Sequence, residues 1–118
     1  MAKKLGLKLS IHTAEIPEQQ AQETSAILGL EPARLGHFNY FTEEQLDQVY
    51  KQKILVEVCP TSNLITKELN SMAEHHLYKF VEKGVPITIC TDDVLLFRNS
   101  LSEEIHSVTE TFGYGIDF

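Results

Sequence analysis

The chain has 118 residues, of which 42% are hydrophobic and 23% charged, as in one soluble domain. Its net charge of -7 argues against binding to a nucleic-acid polymer, because proteins that track nucleic-acid backbones present clustered Lys and Arg. No apolar run approaches the roughly 20 residues of a membrane span, and no signal peptide precedes Leu5. We therefore expect a soluble, cytoplasmic protein without a membrane partner.

Short apolar runs alternate with helical patterns along the chain. The predicted strands are residues 5–12, 33–37, 53–59 and 86–91, and the predicted helices are residues 18–28, 42–51, 73–83 and a last one from Ser100. Capping boxes at Thr42 and Ser100 begin two of these helices, and Gly29 and Gly84 are expected to end two others. Residues 60–63, PTSN, are predicted to form a polar turn.

This βαβαβαβα pattern predicts an α/β fold with a parallel sheet and right-handed crossovers. Four units fit either a small doubly wound sheet or half of a (β/α)8 TIM barrel, since a complete barrel needs about 250 residues. Periodicity leaves both open, and the polar residues that follow the strands favour the barrel. In the second helix, Leu46, Val49 and Tyr50 are expected to face the core.

Polar residues stand where the predicted strands end. His12 and Glu15 follow the first strand, His37 ends the second, and Asp92-Asp93 follow the last. The carboxyl ends of parallel strands share one edge of a sheet, which is where α/β folds keep their chemistry. The sequence therefore predicts a site there.

His12 and Asp92 are ligand types that zinc takes. A lone histidine at a strand end is more often a half-buried side chain whose hydrogen bonds are satisfied within the protein. The presence of Asp92 at the end of another strand gives more weight to the interpretation of His12 as a metal ligand. Asp92-Asp93 also suits a plain turn, although an acid pair on an apolar strand end costs desolvation unless a metal or donors meet it. Asp93 is then a candidate acceptor for a substrate hydrogen bond.

Glu15 is a candidate proton donor if an apolar pocket raises its pKa, and the alternative is a first-turn acid beside Pro17 that stabilises the helix dipole. His37 is a candidate general base or electrostatic stabiliser next to a metal-bound water. Ser62 and Asn63 are expected to be turn formers.

The remaining cysteines and histidines are assigned structural roles. Cys59 and Cys90 lack Cys-x-x-Cys spacing and are expected to be reduced core residues. His75 and His76 fall in a predicted helix, where neighbours point to different faces, so they are expected to be solvated or to support other residues.

Four motifs in chain order resemble those of the adenosine deaminase family. Residues 11–15, IHTAE, resemble its His-Ala-Gly-Glu, and residues 34–37, RLGH, its Arg-Ile-Gly-His. Residues 57–63, EVCPTSN, resemble its Glu-x-Cys-Pro-x-Ser-Asn, and residues 91–93, TDD, its Ser-Asp-Asp. The flanking sequence is closer to the adenosine-deaminase-like branch, which acts on N6-substituted AMP. The resemblance covers nearly the whole chain and strands five to eight of the metal-dependent hydrolase barrel, so residues 1–118 are expected to be a single partial domain, the C-terminal half-barrel.

The resemblance implies a zinc-dependent hydrolytic deamination of a 6-aminopurine nucleoside or nucleotide to the 6-oxo product. By motif position, His12 and Asp92 would be zinc ligands. Glu15 would protonate purine N1, His37 would assist the attacking water, and Asp93 would hold N7.

The chain departs from the family pattern in several places. Ala14 and Phe38 replace glycines beside the pocket, and Val94 replaces a frequent proline. The His-x-His of strand one, which supplies two further zinc ligands, has no counterpart. We therefore expect a fragment or truncated form, inactive alone, that needs an N-terminal half-barrel as partner. The alternatives are a self-associating half-barrel that pairs its open edge strands, and a receiver-like binding module.

Overall fold

The computed structural model describes residues 2–115, in which strands and helices alternate. The strands are β1 (Ser10–Thr13), β2 (Arg34–His37), β3 (Leu55–Val58) and β4 (Ile87–Ile89). The helices are α1 (Gln22–Gly29), α2 (Glu43–Gln52), α3 (Pro60–Thr66), α4 (Leu77–Lys83), α5 (Val94–Phe97) and α6 (Leu101–Phe112). Within that range, no helix combines the length and apolar character needed to cross a bilayer.

The four strands form one parallel sheet in the order β1-β2-β3-β4. The predicted parallel α/β architecture is therefore confirmed. Each crossover places the next strand beside the last one, whereas doubly wound sheets reverse their strand order at a switch point. The doubly wound alternative, and with it the receiver-like module, is wrong. The register aligns Thr13 with His37 and Val58 with Ile89, so the carboxyl ends of neighbouring strands lie side by side.

The core lies on one face of the sheet, under the helices. Alternate strand residues point into it, as the period of two in a strand requires. The rings of Phe38 and Phe80 stack there with centroids 6.0 Å apart. The buried apolar side chains include Leu28, Leu35, Leu46, Val49, Val56, Val58, Phe80 and Val108.

The other face of the sheet is polar. Arg34 donates from Nη1 to Glu57 Oε1 at 3.0 Å, and Ser10 Oγ donates to Glu57 Oε2 at 3.4 Å. The Arg34 side chain is 58% exposed, so this ion pair adds little stability. The ion pair matters mainly because it marks the polar face of the sheet, which continues to the carboxyl ends of the strands, where the candidate site lies.

Both capping boxes are confirmed. The Thr42 side chain accepts a hydrogen bond from the Gln45 backbone at 3.2 Å, and the Gln45 side chain accepts from the Thr42 backbone at 2.9 Å. Ser100 and Glu103 make the same reciprocal pair at the start of α6. Gly84 ends α4 with φ +76, as expected of a glycine in the left-handed region.

Several sequence expectations were wrong. Residues 60–63 are the first turn of α3 rather than a polar turn, since Pro60 suits the first helical position, where no N–H is needed. The first strand is Ser10–Thr13 rather than residues 5–12: Leu5 ends a 3-10 helix, and Gly6 follows it with φ +72, outside the extended region. Tyr50 is 48% exposed instead of facing the core. Gly29 lies inside α1, and the helix is capped by Leu30.

His75 and His76 are buried rather than solvated. They lie between the 3-10 segment Met72–Glu74 and α4, with 0% and 6% exposure and with their rings stacked at 4.5 Å. His75 Nδ1 accepts a hydrogen bond from the Leu77 N–H at 3.0 Å. Burial, aided by the nearby Lys67 charge, lowers the pKa of His75 to about 4, and burial also lowers the pKa of His76.

Acid should therefore destabilise the fold. The unfolded chain protonates His75 near pH 6.5 whereas the folded chain does so near pH 4, so stability is lost as pH falls through that window. For His75 the loss is up to roughly 3 kcal/mol at the acid end. Urea unfolding across this pH range should show a shallower dependence for His75→Asn, which keeps an acceptor for Leu77. His106→Asn, on the exposed side of α6, is the control, and an unchanged slope in His75→Asn would contradict this account.

Candidate active site

A cavity of about 270 Å³ lies at the carboxyl ends of the strands. Three of the five predicted site residues line it, namely His12, His37 and Asp92. The rest of its wall is formed by Gly36, Glu57, Cys59, Cys90 and Thr91. The strand ends thus converge as the parallel register requires.

Glu15 lies between two histidines on the β1–β2 side of the cavity. Its Oε1 is 3.8 Å from His12 Nδ1, and its Oε2 is 3.8 Å from His37 Nε2. The two imidazole rings meet edge to face, with centroids 4.8 Å apart. Ala14, at φ 55, turns the chain after β1 and brings Glu15 back toward the site. Glu15 is therefore not a first-turn helix acid; Glu18 holds that position.

Gly36 leaves the space that the His12 ring occupies. A Cβ built on Gly36 would lie 2.8 Å from both Cγ and Nε2 of that ring and closer still to Cδ2. Contacts below 3.0 Å force something to move, so a side chain at position 36 is incompatible with this placement of His12. Gly36 therefore makes room for a side chain of the neighbouring strand, His12 of β1.

Asp92 and Asp93 have different partners. Ser62 Oγ donates to Asp92 Oδ2 at 2.7 Å. Asp93 Oδ1 accepts from the backbone N–H groups of Leu95 and Leu96, at 2.9 and 3.0 Å, and so caps α5. Both acids are exposed, and these donors reduce the expected desolvation cost further.

Asn63 fixes the orientation of the buried His37 ring. His37 is 5% exposed, and its Nδ1 lies 3.2 Å from Asn63 Nδ2. An amide nitrogen can only donate, so Nδ1 accepts, and the neutral ring carries its proton on Nε2, which faces Glu15. This tautomer favours a stabilising, donating role for His37 over the general-base role.

The metal-type donors form two overlapping groups. His12, Glu15 and His37 have ligand atoms within 4.8 Å of one another, and so do His37, Cys59 and Asp92. His37 therefore links the two sides of the site. Burial, with the nearby Cys90 and Asp92 charges adding to it, raises the pKa of Cys59 to about 12, so its thiol stays protonated. Cys59 is a free thiol in the cavity wall, as is Cys90.

The family model described as adenosine deaminase matches residues 1–117. The chain belongs to the adenosine deaminase family. It is 37% identical to the N6-methyl-AMP deaminase of Danio rerio in an alignment that covers 95% of this chain and 34% of that protein. The apo N6-methyl-AMP deaminase of Arabidopsis thaliana matches with a TM-score of 0.89 and 33% identity, over 98% of this chain and 34% of that one. Arabidopsis ADAL complexed with IMP matches with a TM-score of 0.88 and 32% identity, over 96% of this chain and 33% of that one.

This member of the adenosine deaminase family spans about a third of the length of the curated relatives it matches. The resemblance seen in its four motifs is confirmed. The sequence pattern predicts Ser62 and Asn63 only as turn formers and misses their contribution to the site. Pro60 before two polar residues was the available signal, since Pro at the first helical position indicates a helix whose first turn carries them.

Gly36→Ala should displace the His12 ring and lower the free energy of unfolding by about 1–3 kcal/mol, as overpacking does. Side-chain NMR signals of His12 and urea unfolding measure the two effects. Gly29→Ala is the matched control, since no described atom lies within 4 Å of its added Cβ. Unchanged His12 signals in Gly36→Ala would show that the ring does not lie over Gly36.

Asn63→Asp should move the proton of neutral His37 from Nε2 to Nδ1, because a carboxylate accepts where the amide donated. The nitrogen-15 shifts of the two ring nitrogens distinguish the tautomers. His106, on exposed α6, reports any general change in the same spectrum. Persistence of the Nε2–H form in Asn63→Asp would mean that Asn63 does not set the tautomer.

Proposed function

We propose that this chain supplies the carboxyl-terminal half of an active site that hydrolytically deaminates the 6-position of a purine nucleotide. The observation that carries the proposal is the convergence of His12, His37 and Asp92 on one cavity, with Glu15 between the two histidines. An acid, a donating imidazole and a carboxylate are the groups that such a reaction needs.

We propose further that the four βα units are strands five to eight of a (β/α)8 barrel. The sequential strand order supports this, because a barrel winds in one direction. Within the described residues, β1 and β4 each pair on one side only, and a closed barrel would pair both open edges with further strands. Residues 1–118 are then a single partial domain.

Zinc fits the donors in type. His12 and Asp92 offer one nitrogen and one oxygen ligand at the cavity, and the 118-residue sequence holds no His-x-His pair to complete the set. The remaining ligands of one complete site would come from an N-terminal half-barrel. When bound, zinc supplies the Lewis acidity that makes water nucleophilic at neutral pH.

The side chains of this chain perform the remaining steps. Glu15 gives its proton to purine N1 as the C6–O bond forms, and one proton of the attacking water restores its acid form. The C6–N6 bond then breaks as the remaining proton of the new C6 hydroxyl passes to the amine, which leaves. His37, with its proton on Nε2, donates a hydrogen bond to the incoming oxygen. Asp93, whose Oδ1 caps α5, is proposed to lie beside purine N7 with its Oδ2.

N6-substituted AMP is the proposed substrate and IMP the product. Several relatives that match most of this chain are named N6-methyl-AMP deaminases, others are named adenosine deaminase-like proteins, and matching structures include complexes with IMP and with GMP. A purine nucleotide with an amine on C6 yields IMP by the reaction described above, so the name N6-methyl-AMP deaminase and the IMP complex agree in chemistry.

Self-association is the second candidate, favoured by the open edges of β1 and β4. Two copies pairing these edges would close eight strands, yet they would still lack the His-x-His ligands. Light scattering decides this candidate: a monomer contradicts it.

The proposal is tested with the 118-residue chain alone and mixed with the region of the Danio rerio relative that precedes the matched segment. Zinc content and release of IMP from N6-methyl-AMP are measured, and turnover is expected in the mixture. His12→Ala or Asp92→Ala should lose zinc and turnover together. Glu15→Gln should keep zinc and lose turnover by about 10²–10⁴-fold.

Glu18→Gln, which changes an exposed acid in the neighbouring helical turn, is the control and should keep both properties. Retained turnover in Glu15→Gln would remove its role as acid. A mixture without zinc or turnover would contradict the proposed function, and turnover by the chain alone would contradict the need for a partner half.

A further inference from the structure

We propose that Glu104, on α6, is a positioning residue for the candidate active site. Its buried carboxylate fixes the first turn of α3, and that turn carries Ser62 and Asn63. This role deepens the proposed function and rests on it only where zinc binding is concerned; the structural part stands on the contacts below.

Helix α3 depends on a cap from a distant part of the chain. Among the described residues, its N-cap Cys59 makes no side-chain capping hydrogen bond, and Pro60 has no N–H to offer. The Thr61 N–H is thus an orphan donor of the kind every helix start must satisfy. Glu104 accepts it with both carboxylate oxygens, at 3.2 Å to Oε1 and 3.1 Å to Oε2.

The Glu104 carboxyl is buried among hydrogen-bond donors, which indicates a structural role. It is 1% exposed, and burial raises the pKa of its carboxyl. Asn99 Nδ2 also donates to Oε1, so donors from two segments meet this one group. Its neighbour Glu103 differs, because it is exposed and completes the capping box of its own helix with Ser100.

The capped turn delivers two side chains to the site. Ser62 and Asn63 directly follow Thr61 and are 3% and 0% exposed. Ser62 Oγ donates to Asp92 Oδ2 at 2.7 Å, and Asn63 Nδ2 lies 3.2 Å from His37 Nδ1. Asn63 Oδ1 has no partner in the described part of the chain, so the amide is oriented by the His37 contact and by the helix itself. A shift of the first turn would therefore move both contacts at once.

The test compares Glu104→Ala, Glu104→Gln and two controls in the 118-residue chain. Glu103→Gln removes the adjacent charge and keeps a capping-box side chain. Val108→Ala removes core volume from the same helix and keeps the Glu104 carboxylate. The readouts are amide hydrogen exchange of Thr61, the nitrogen-15 signals of the His37 ring and, in the mixture with the N-terminal half, the dissociation constant for zinc alone.

Glu104→Ala should speed the amide exchange of Thr61 at least tenfold and change the His37 Nδ1 signal. It should also weaken zinc binding by about 10–100-fold, as the loss of residues that orient metal ligands typically does. Glu104→Gln should stay near the native values, because its amide oxygen can occupy the Oε1 position. Val108→Ala should lower overall stability and leave the His37 Nδ1 signal unchanged.

Unchanged Thr61 exchange and His37 signals in a folded Glu104→Ala would overturn the proposal. If that variant does not fold, Glu104→Gln decides: a His37 signal that moves clearly further than in Val108→Ala would equally overturn it. A mixture with the N-terminal half that binds no zinc counts against the proposed function, while the exchange and NMR comparison in the chain alone still decides the role of Glu104.

Discussion

Two hydrogen bonds that leave helix α3 join the halves of the candidate site. Ser62 holds Asp92 beyond β4, and Asn63 holds His37 at the end of β2. Without these two hydrogen bonds, the parallel sheet would still bring the strand ends to one edge, but the rotamers of Asp92 and His37 would not be fixed. Positioning of this kind is what catalysis demands, since misplacement by about 1 Å can cost two orders of magnitude in rate.

Backbone strain at the same edge is compensated by packing. Ala14, His37 and Phe38 all have positive φ, at 55, 63 and 49, and such residues cost of order 1–3 kcal/mol each. Two of them replace glycines in the family motifs, which would adopt this backbone without strain. Phe38 recovers the cost by full burial, with its ring stacked at 5.0 Å on Phe41.

Local patterns predicted well what depends on local chemistry. The strands, the parallel sheet and both capping boxes follow from periodicity and from residues three apart. Predictions from local patterns failed where the conformation depends on residues far away in the sequence. Residues 60–63 are helical in part because Glu104, 41 positions beyond Asn63, caps their helix. His75 is buried by packing that no window of sequence shows. The tautomer of His37 depends likewise on an amide 26 residues away.

We propose that His12 and Asp92 supply two of the ligands of a zinc site, in a cavity whose wall also carries the thiols of Cys59 and Cys90. X-ray absorption at the zinc edge of the metal-loaded mixture with the N-terminal half tests this proposal most directly. The account predicts a shell of nitrogen and oxygen at about 2.0–2.2 Å, reduced in His12→Ala and in Asp92→Ala. A sulfur neighbour near 2.3 Å, lost in Cys59→Ser, would contradict it, because the metal would then occupy a different set of donors.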